Sequence, residues 1–230
     1  MRILAVDTSS AVATAAVLED EKLISEEIVN NKLTHSQTIM PMIKSVLEKS
    51  ELSADDIDVF AAVTGPGSFT GLRIGVSAVK ALAHATGKPC VAVSTLEAMA
   101  YNFVFSDKLI CPIMDARRGE VYNAVYRFND GVIEEVIGAR AVTLEECCAD
   151  IKELGEKTVF LGDGVPVFEE RIREILGELA LLAPPNLNAQ MAASAAVAAK
   201  HKDVVEYTRL APVYLRKSQA ERERESRKGE

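Results

Sequence analysis

Thr64-Gly65-Pro66-Gly67-Ser68-Phe69-Thr70-Gly71-Leu72-Arg73-Ile74-Gly75 follows the apolar run Asp58-Val59-Phe60-Ala61-Ala62-Val63 and opens an Ala-rich segment from Val76 to Thr86. The order reads as strand, glycine loop, helix. Glycines at such a junction let the backbone approach an anion or another chain closely, and the free N–H groups of a helix start point into the crevice. A Walker A loop needs Lys-Ser or Lys-Thr after its last glycine, whereas Gly71 is followed by Leu72 and Arg73. A dinucleotide loop tolerates the Gly65, Gly67, Gly71 spacing but wants a carboxylate at the end of the next strand, about 20 residues on. That strand, Pro89-Cys90-Val91-Ala92-Val93-Ser94-Thr95, ends without one. A tight turn with close helix packing accounts for the glycines equally well.

Outward from the loop, the first half opens on Ile3-Leu4-Ala5-Val6-Asp7-Thr8, a short apolar strand ending in a carboxylate and a hydroxyl. Val12 to Leu18 and Leu23 to Val29 flank the polar turn Glu19-Asp20-Glu21-Lys22, as in an antiparallel meander. Ile39, Ile43, Val46 and Leu47 then mark one face of a helix from about Ser36 to Lys49. The second half repeats this grammar. Leu109 to Asp115 is again a strand ending in aspartate, Val121 to Phe128 and Val132 to Val136 flank Asn129-Asp130-Gly131, and Thr143 with Glu146 caps a helix to Leu154. Thr158-Val159-Phe160-Leu161 runs into Gly162-Asp163-Gly164 as Val63 runs into Gly65 and Gly67. The expected fold is therefore α/β, two related lobes with strand-end aspartates and glycine pairs facing one cleft.

The 230 residues, 48% hydrophobic, suffice for a large core, and a formal charge of -8 argues against a broad phosphate-binding face. No apolar run approaches the ~20 residues needed to span a bilayer, so no membrane role is expected and the cytoplasm is the simple location. Cys90, Cys111, Cys147 and Cys148 form no Cys-x-x-Cys, which fits free thiols. His35, His84 and His201 make no His-x-x-x-His pair, because positions 39 and 88 are Ile39 and Lys88.

Two lobes of this grammar resemble the actin and sugar-kinase superfamily, with tandem ribonuclease H-like (actin-like ATPase) lobes, each βββαβαβα. More narrowly, Ile3 to Ser9, His35-Ser36-Gln37, Gly65 to Gly75, Val93-Ser94-Thr95-Leu96 and Asp115-Ala116-Arg117-Arg118-Gly119-Glu120-Val121-Tyr122 look like the TsaB (YeaZ) family. The match is weakest after about Leu176. The resemblance implies an N-terminal lobe over residues 1–104 carrying partner-binding helices, a C-terminal lobe over 105–215 and a charged, flexible tail over 216–230. It implies an accessory subunit in the transfer of a threonylcarbamoyl group to the adenosine next to the tRNA anticodon. The partners would be the catalytic subunit TsaD and the ATPase TsaE, with a homodimer when alone and tRNA met only through the complex.

The catalytic relative carries a His-x-x-x-His metal pair where this chain reads His35-Ser36-Gln37-Thr38-Ile39. No catalytic residue, metal or cofactor is therefore expected here. A vestigial nucleotide cleft is assigned to Asp7, Thr8, Gly65, Gly67, Ser68, Asp115, Arg117, Arg118, Gly162 and Gly164. The two arginines would either clamp a phosphate or fill the space and pair with carboxylates, the latter being favoured. Small and apolar residues at helical spacing mark the expected partner face: His35, Ile39, Met40, Met42, Ile43 and Leu47 on one helix, Gly71, Gly75, Val76, Val79 and Leu82 on the next. The alternatives are an actin-like ATPase or phosphotransferase using Asp7, Thr8, Asp115 and the Gly162-Asp163-Gly164 loop, and, further off, a metallopeptidase.

Overall fold

The structure, a computed structural model, describes residues 1–31 and 33–216; the expected tail lies, but for Arg216, outside the described residues. Strand β1 (Arg2–Asp7) is buried throughout except at Arg2, as a strand apolar on both faces must be when layers cover it on each side. It pairs antiparallel with β2 (Ala13–Glu19), and β2 with β3 (Lys22–Val29). On its other edge β1 runs parallel to β4 (Val59–Gly65), and β4 to β5 (Cys90–Ser94). The parallel neighbours need crossovers, supplied by α1 (His35–Lys49) and α2 (Phe69–Thr86), with α3 (Thr95–Ala100) closing the half.

The second half repeats the order with β6 (Leu109–Arg117), β7 (Glu120–Asn129), β8 (Val132–Thr143), α4 (Leu144–Leu154), β9 (Thr158–Leu161), α5 (Val165–Leu176), β10 (Ala180–Leu182) and α6 (Ala192–Ala199). The sheets run β3-β2-β1-β4-β5 and β8-β7-β6-β9-β10, one topology twice, and each half is βββαβαβα. Thr143 caps α4 as its spacing to Glu146 predicts, each residue bonding the other's backbone N–H. β8 runs seven residues past the expected end at Val136, because its pairing with β7 continues through irregular register to Glu120↔Thr143.

Three apolar clusters make five layers. α1 and α2 cover the outer face of the first sheet, and α4 and α5 that of the second. Between the sheets, Leu96 and Met99 of α3 meet Ala192, Ala195, Ala196 and Ala199 of α6. α6 follows the second sheet in sequence yet packs on β1 and β2 of the first. Alanine lets a buried helix lie close between two sheets. No residue of its own caps α6; across the lobe junction Thr14 Oγ1 accepts from Ala192 N (3.3 Å) and Glu26 Oε1 from Ala193 N (2.9 Å). A carboxylate at a helix start satisfies orphan donors and opposes the helix dipole favourably. Glu26→Ala is expected to cost about 1–2 kcal/mol and Glu26→Gln distinctly less, since the amide oxygen still accepts. Denaturant midpoints at neutral pH check this, and equal losses for both variants would refute the cap.

Candidate functional site

The glycine loop spends its freedom on its own chain. A Cβ on Gly71 would overlap the Thr8 carbonyl and one on Gly75 the Thr8 hydroxyl, so these glycines let α2 lie directly against the turn after β1. Thr8 Oγ1 donates to Gly71 O at 2.8 Å and locks the approach. Ser68 caps α2, accepting from Gly71 N at 3.2 Å, while its own N–H donates to Ser9 O at 2.6 Å. Gly67 has φ +155° and no room for a side chain beside the Ser9 carbonyl. In the second lobe a Cβ on Gly162 would meet Ile113 O, and Gly164 lies against the same residue, so the two loops are alike.

The loops and strand ends open on a cleft of about 590 Å³, lined among others by Ser9, His35, Ser68, Asp115, Arg117, Tyr122 and Asp163. Asp7 lies just behind this wall, 1% exposed. Its Oδ1 accepts from Ser9 N at 2.7 Å, and Oδ2 has no hydrogen-bond partner among the described residues. Burial raises the Asp7 carboxyl from 3.8 to about 6, against the lowering effect of the Ser9 hydrogen bonds. His35 Nε2 is 2.7 Å from Ser10 O, so the imidazole N–H donates to that carbonyl and the ring forms part of the cleft wall. Asp115 accepts from Arg117 N at 2.8 Å and pairs with its guanidinium at 3.1 Å. Arg117 stays 86% exposed at the rim, so it neutralises Asp115 without filling the cleft. Arg117 and Arg118 both adopt positive φ in the tight β6–β7 turn and, unlike Arg117, Arg118 does not line the cleft.

Sequence reading missed the last contributor. Residues 205–216 strap the first lobe, starting where Val205 and Cys90 exchange backbone hydrogen bonds of 2.7 and 2.8 Å. The strap follows one flank of α2: Tyr207 meets the His84 ring at 4.8 Å, Lys80 Nζ donates to Leu210 O at 3.1 Å, and Tyr214 stacks on Phe69 at 4.2 Å. Val213 to Arg216 then form part of the cleft wall. The signal was present in Leu210, Val213 and Tyr214, but an irregular strap has no periodicity to betray it.

The expected partner face needs correction. Ile39, Met42, Ile43, Leu47, Val76 and Val79 point into the outer core of the first lobe, and Val79 is 0% exposed. Gly71 and Gly75 are buried against Thr8. These eight hold the lobe together, because the stripe facing a sheet carries the same apolar spacing as one facing another protein. Leu82 and His35 are half-buried; Met40, 47% exposed, remains outward. The outer ridge of α2 is Thr70, Ile74, Ser77, Ala81 and Ala85, all exposed except the half-buried Ile74.

Two ribonuclease H-like lobes facing each other across a cleft at the ends of their central strands define a protein of the actin-like ATPase fold. The (R)-2-hydroxyglutaryl-CoA dehydratase component A of Acidaminococcus fermentans shares this fold with a TM-score of 0.50 at 12% identity, over 86% of this chain and 96% of that one. A Pseudomonas aeruginosa protein described as similar to peptidase YeaZ superposes with a TM-score of 0.77 at 26% identity, over 94% of this chain and 99% of that one. Residues 22–224 match the family described as TsaD, tRNA N6-adenosine threonylcarbamoyltransferase. The chain is 35% identical over 221 residues to the tRNA threonylcarbamoyladenosine biosynthesis protein TsaB of Bacillus subtilis, covering 96% of each. The chain belongs to the TsaB (YeaZ) family.

Two substitutions test the site. Gly75→Ala should gain up to ~1 kcal/mol in helix propensity but lose more to overlap with Thr8, for a net destabilisation of about 1–3 kcal/mol in denaturant titration. Unchanged stability would mean that the glycine does not serve the α2–Thr8 contact. For Asp7, a folded pKa near 6 above the ordinary 3.8 means that ionisation opposes folding, with a penalty absent below pH 3.8, growing between the two values and full above 6. Asp7→Asn keeps an oxygen for Ser9 N, so it should stabilise on the order of 2 kcal/mol at pH 7.5 and hardly at all at pH 4. A gain independent of pH would contradict the assignment.

Proposed function

We propose that this chain is a non-catalytic subunit of the assembly that places a threonylcarbamoyl group on the adenosine beside the tRNA anticodon. The observation that carries it is the likeness to TsaB over 96% of both chains. On this reading the chain works in the cytoplasm beside a TsaD catalytic subunit and a TsaE ATPase, meets tRNA only through them, and pairs with a second copy when alone. Its own features agree. Ile39, where a second metal-binding histidine would stand, is 1% exposed in the apolar core, and His35 is committed to the Ser10 carbonyl. Gly67, Gly71 and Gly75, which a phosphate loop would leave open to its ligand, are packed on Thr8 and Ser9 of the chain itself.

The docking surface is the outer ridge of α2, Thr70, Ile74, Ser77, Ala81 and Ala85, with the exposed Met40 and Pro41 of α1. Small side chains let a partner helix approach closely, and an exposed methionine adapts to more than one surface. The substitution that tests docking must therefore be outward. Ser77→Arg and Ala81→Glu should each leave the melting temperature within a few degrees and lower co-elution with TsaD at least ~10-fold, a loss of 1.4 kcal/mol or more. Val79→Glu, in contrast, buries a charge in the core and should unfold the lobe. Full TsaD binding by both outward variants would move the interface elsewhere.

A further inference from the structure

The strap is firmly rooted and shallowly tipped. At its root, Val205 pairs with the edge strand β5 and Leu210 is 1% exposed in the outer core of the first lobe. At its tip, Tyr214 lies on the surface, 37% exposed, held by the Phe69 stack and by Arg73, whose Nε donates to the phenol oxygen at 3.0 Å. Arg73 itself lies over the Phe69 ring at 4.0 Å and is exposed. Between root and tip, Val213 N donates to Thr64 O at 2.7 Å. The Val213 carbonyl occupies the space a Cβ on Gly65 would take, so the first glycine of the loop is shaped to receive the strap.

Two residues past Tyr214 the chain reaches the other lobe. Arg216 donates to Ala116 O at 3.1 Å and pairs with Glu120, on the two sides of the β6–β7 turn. Val213, Tyr214, Leu215 and Arg216 therefore cross the cleft mouth, tying the α2 end of the first lobe to the Asp115 end of the second.

We infer that residues 205–216 are a clasp on the cleft with a detachable tip: Tyr214 is its catch, and release of the catch unties the two lobes at the mouth, with α6 still between them, and opens the space between Ser9 and Asp115. Its tip is held by the exposed Arg73–Tyr214 hydrogen bond, the Phe69 stack and a few partly buried contacts of Val213 and Arg216, a set small enough to open at a fraction of the global unfolding free energy, whereas its root is core-like. The device regulates access to a cleft whose walls hold Asp115, Asp163, Ser9 and His35. It does not rest on docking to TsaD.

Hydrogen exchange followed by mass spectrometry on the full chain tests it without a partner. In the unaltered protein residues 211–216 should exchange at least ~10-fold faster than 205–210. Tyr214→Ala should accelerate exchange ~10-fold or more in the tip and in both cleft walls, residues 9–11 and 115–119, while β1 and β6 keep their rates. Tyr214→Phe keeps the stack and should stay within about threefold of the unaltered protein. Arg216→Ala, which severs only the far end, should again speed both walls. Acceleration confined to the tip would overturn the clasp, as would acceleration that includes β1 and β6, since the strap would then be an integral part of the fold. Loss of TsaD binding by the ridge variants bears only on docking.

Discussion

The contact between α2 and the turn after β1 sets the geometry of everything around it. Thr8 presents its carbonyl to Gly71 and its hydroxyl to both Gly71 and Gly75, and no residue larger than glycine fits at either helix position. With α2 drawn down on the turn, Ser68 reaches Ser9, the glycine loop closes over the strand ends, and Phe69 and Arg73 stand where the strap can find them. The same approach fixes which side of α2 faces the core. Leu72, Val76, Val79 and Ala83 go inward, and Thr70, Ser77, Ala81 and Ala85 are left outside.

The consequence for chemistry is a cleft whose glycine loops are packed on the chain itself. Backbone approach, normally reserved for a phosphate in glycine loops, is taken up here by protein carbonyls at Thr8, Ser9, Ile113 and Val213. Asp7 is walled off with one carboxylate oxygen unpaired among the described residues, and burial lifts its titration to about 6. Asp115 is balanced by Arg117 at the rim. The strap narrows the mouth further and joins the lobes by a route independent of α6, which binds them from within.

The repeated strand-end aspartate, the two meanders and the glycine pair after each fourth strand were legible, because each arises from local patterning: period-two apolar runs, polar turns and glycine at positive φ. That loops at the carboxyl ends of the strands meet at one cleft was legible for the same reason; of the residues expected there, Gly67, Ser68, Asp115 and Arg117 line it, and Asp7, Thr8, Gly65, Arg118, Gly162 and Gly164 do not. The helix faces were not. Ile39, Ile43, Val76 and Val79 have the spacing of an interface, yet that spacing says only that one side is apolar. Whether a sheet of the same chain or another protein covers it depends on where the sheet lies. α6 and the strap escaped notice because a short alanine-rich helix carries little amphipathic pattern and an extended strap no period.

The class of fold, the order of elements and the repeat of one grammar in two lobes followed from the residues alone, through short-range periodicity and turn chemistry, and the resemblance to TsaB followed from the glycine loop and the Asp115 to Tyr122 motif. Which side of α2 is free, that α6 of the second half inserts against the first sheet, and that residues 205–216 line the cleft mouth became fixed on folding. Those outcomes rest on contacts between segments far apart in the chain, such as Gly75 with Thr8, Glu26 with Ala193 and Phe69 with Tyr214. Steric fit between distant surfaces leaves no trace in local pattern until the chain is folded.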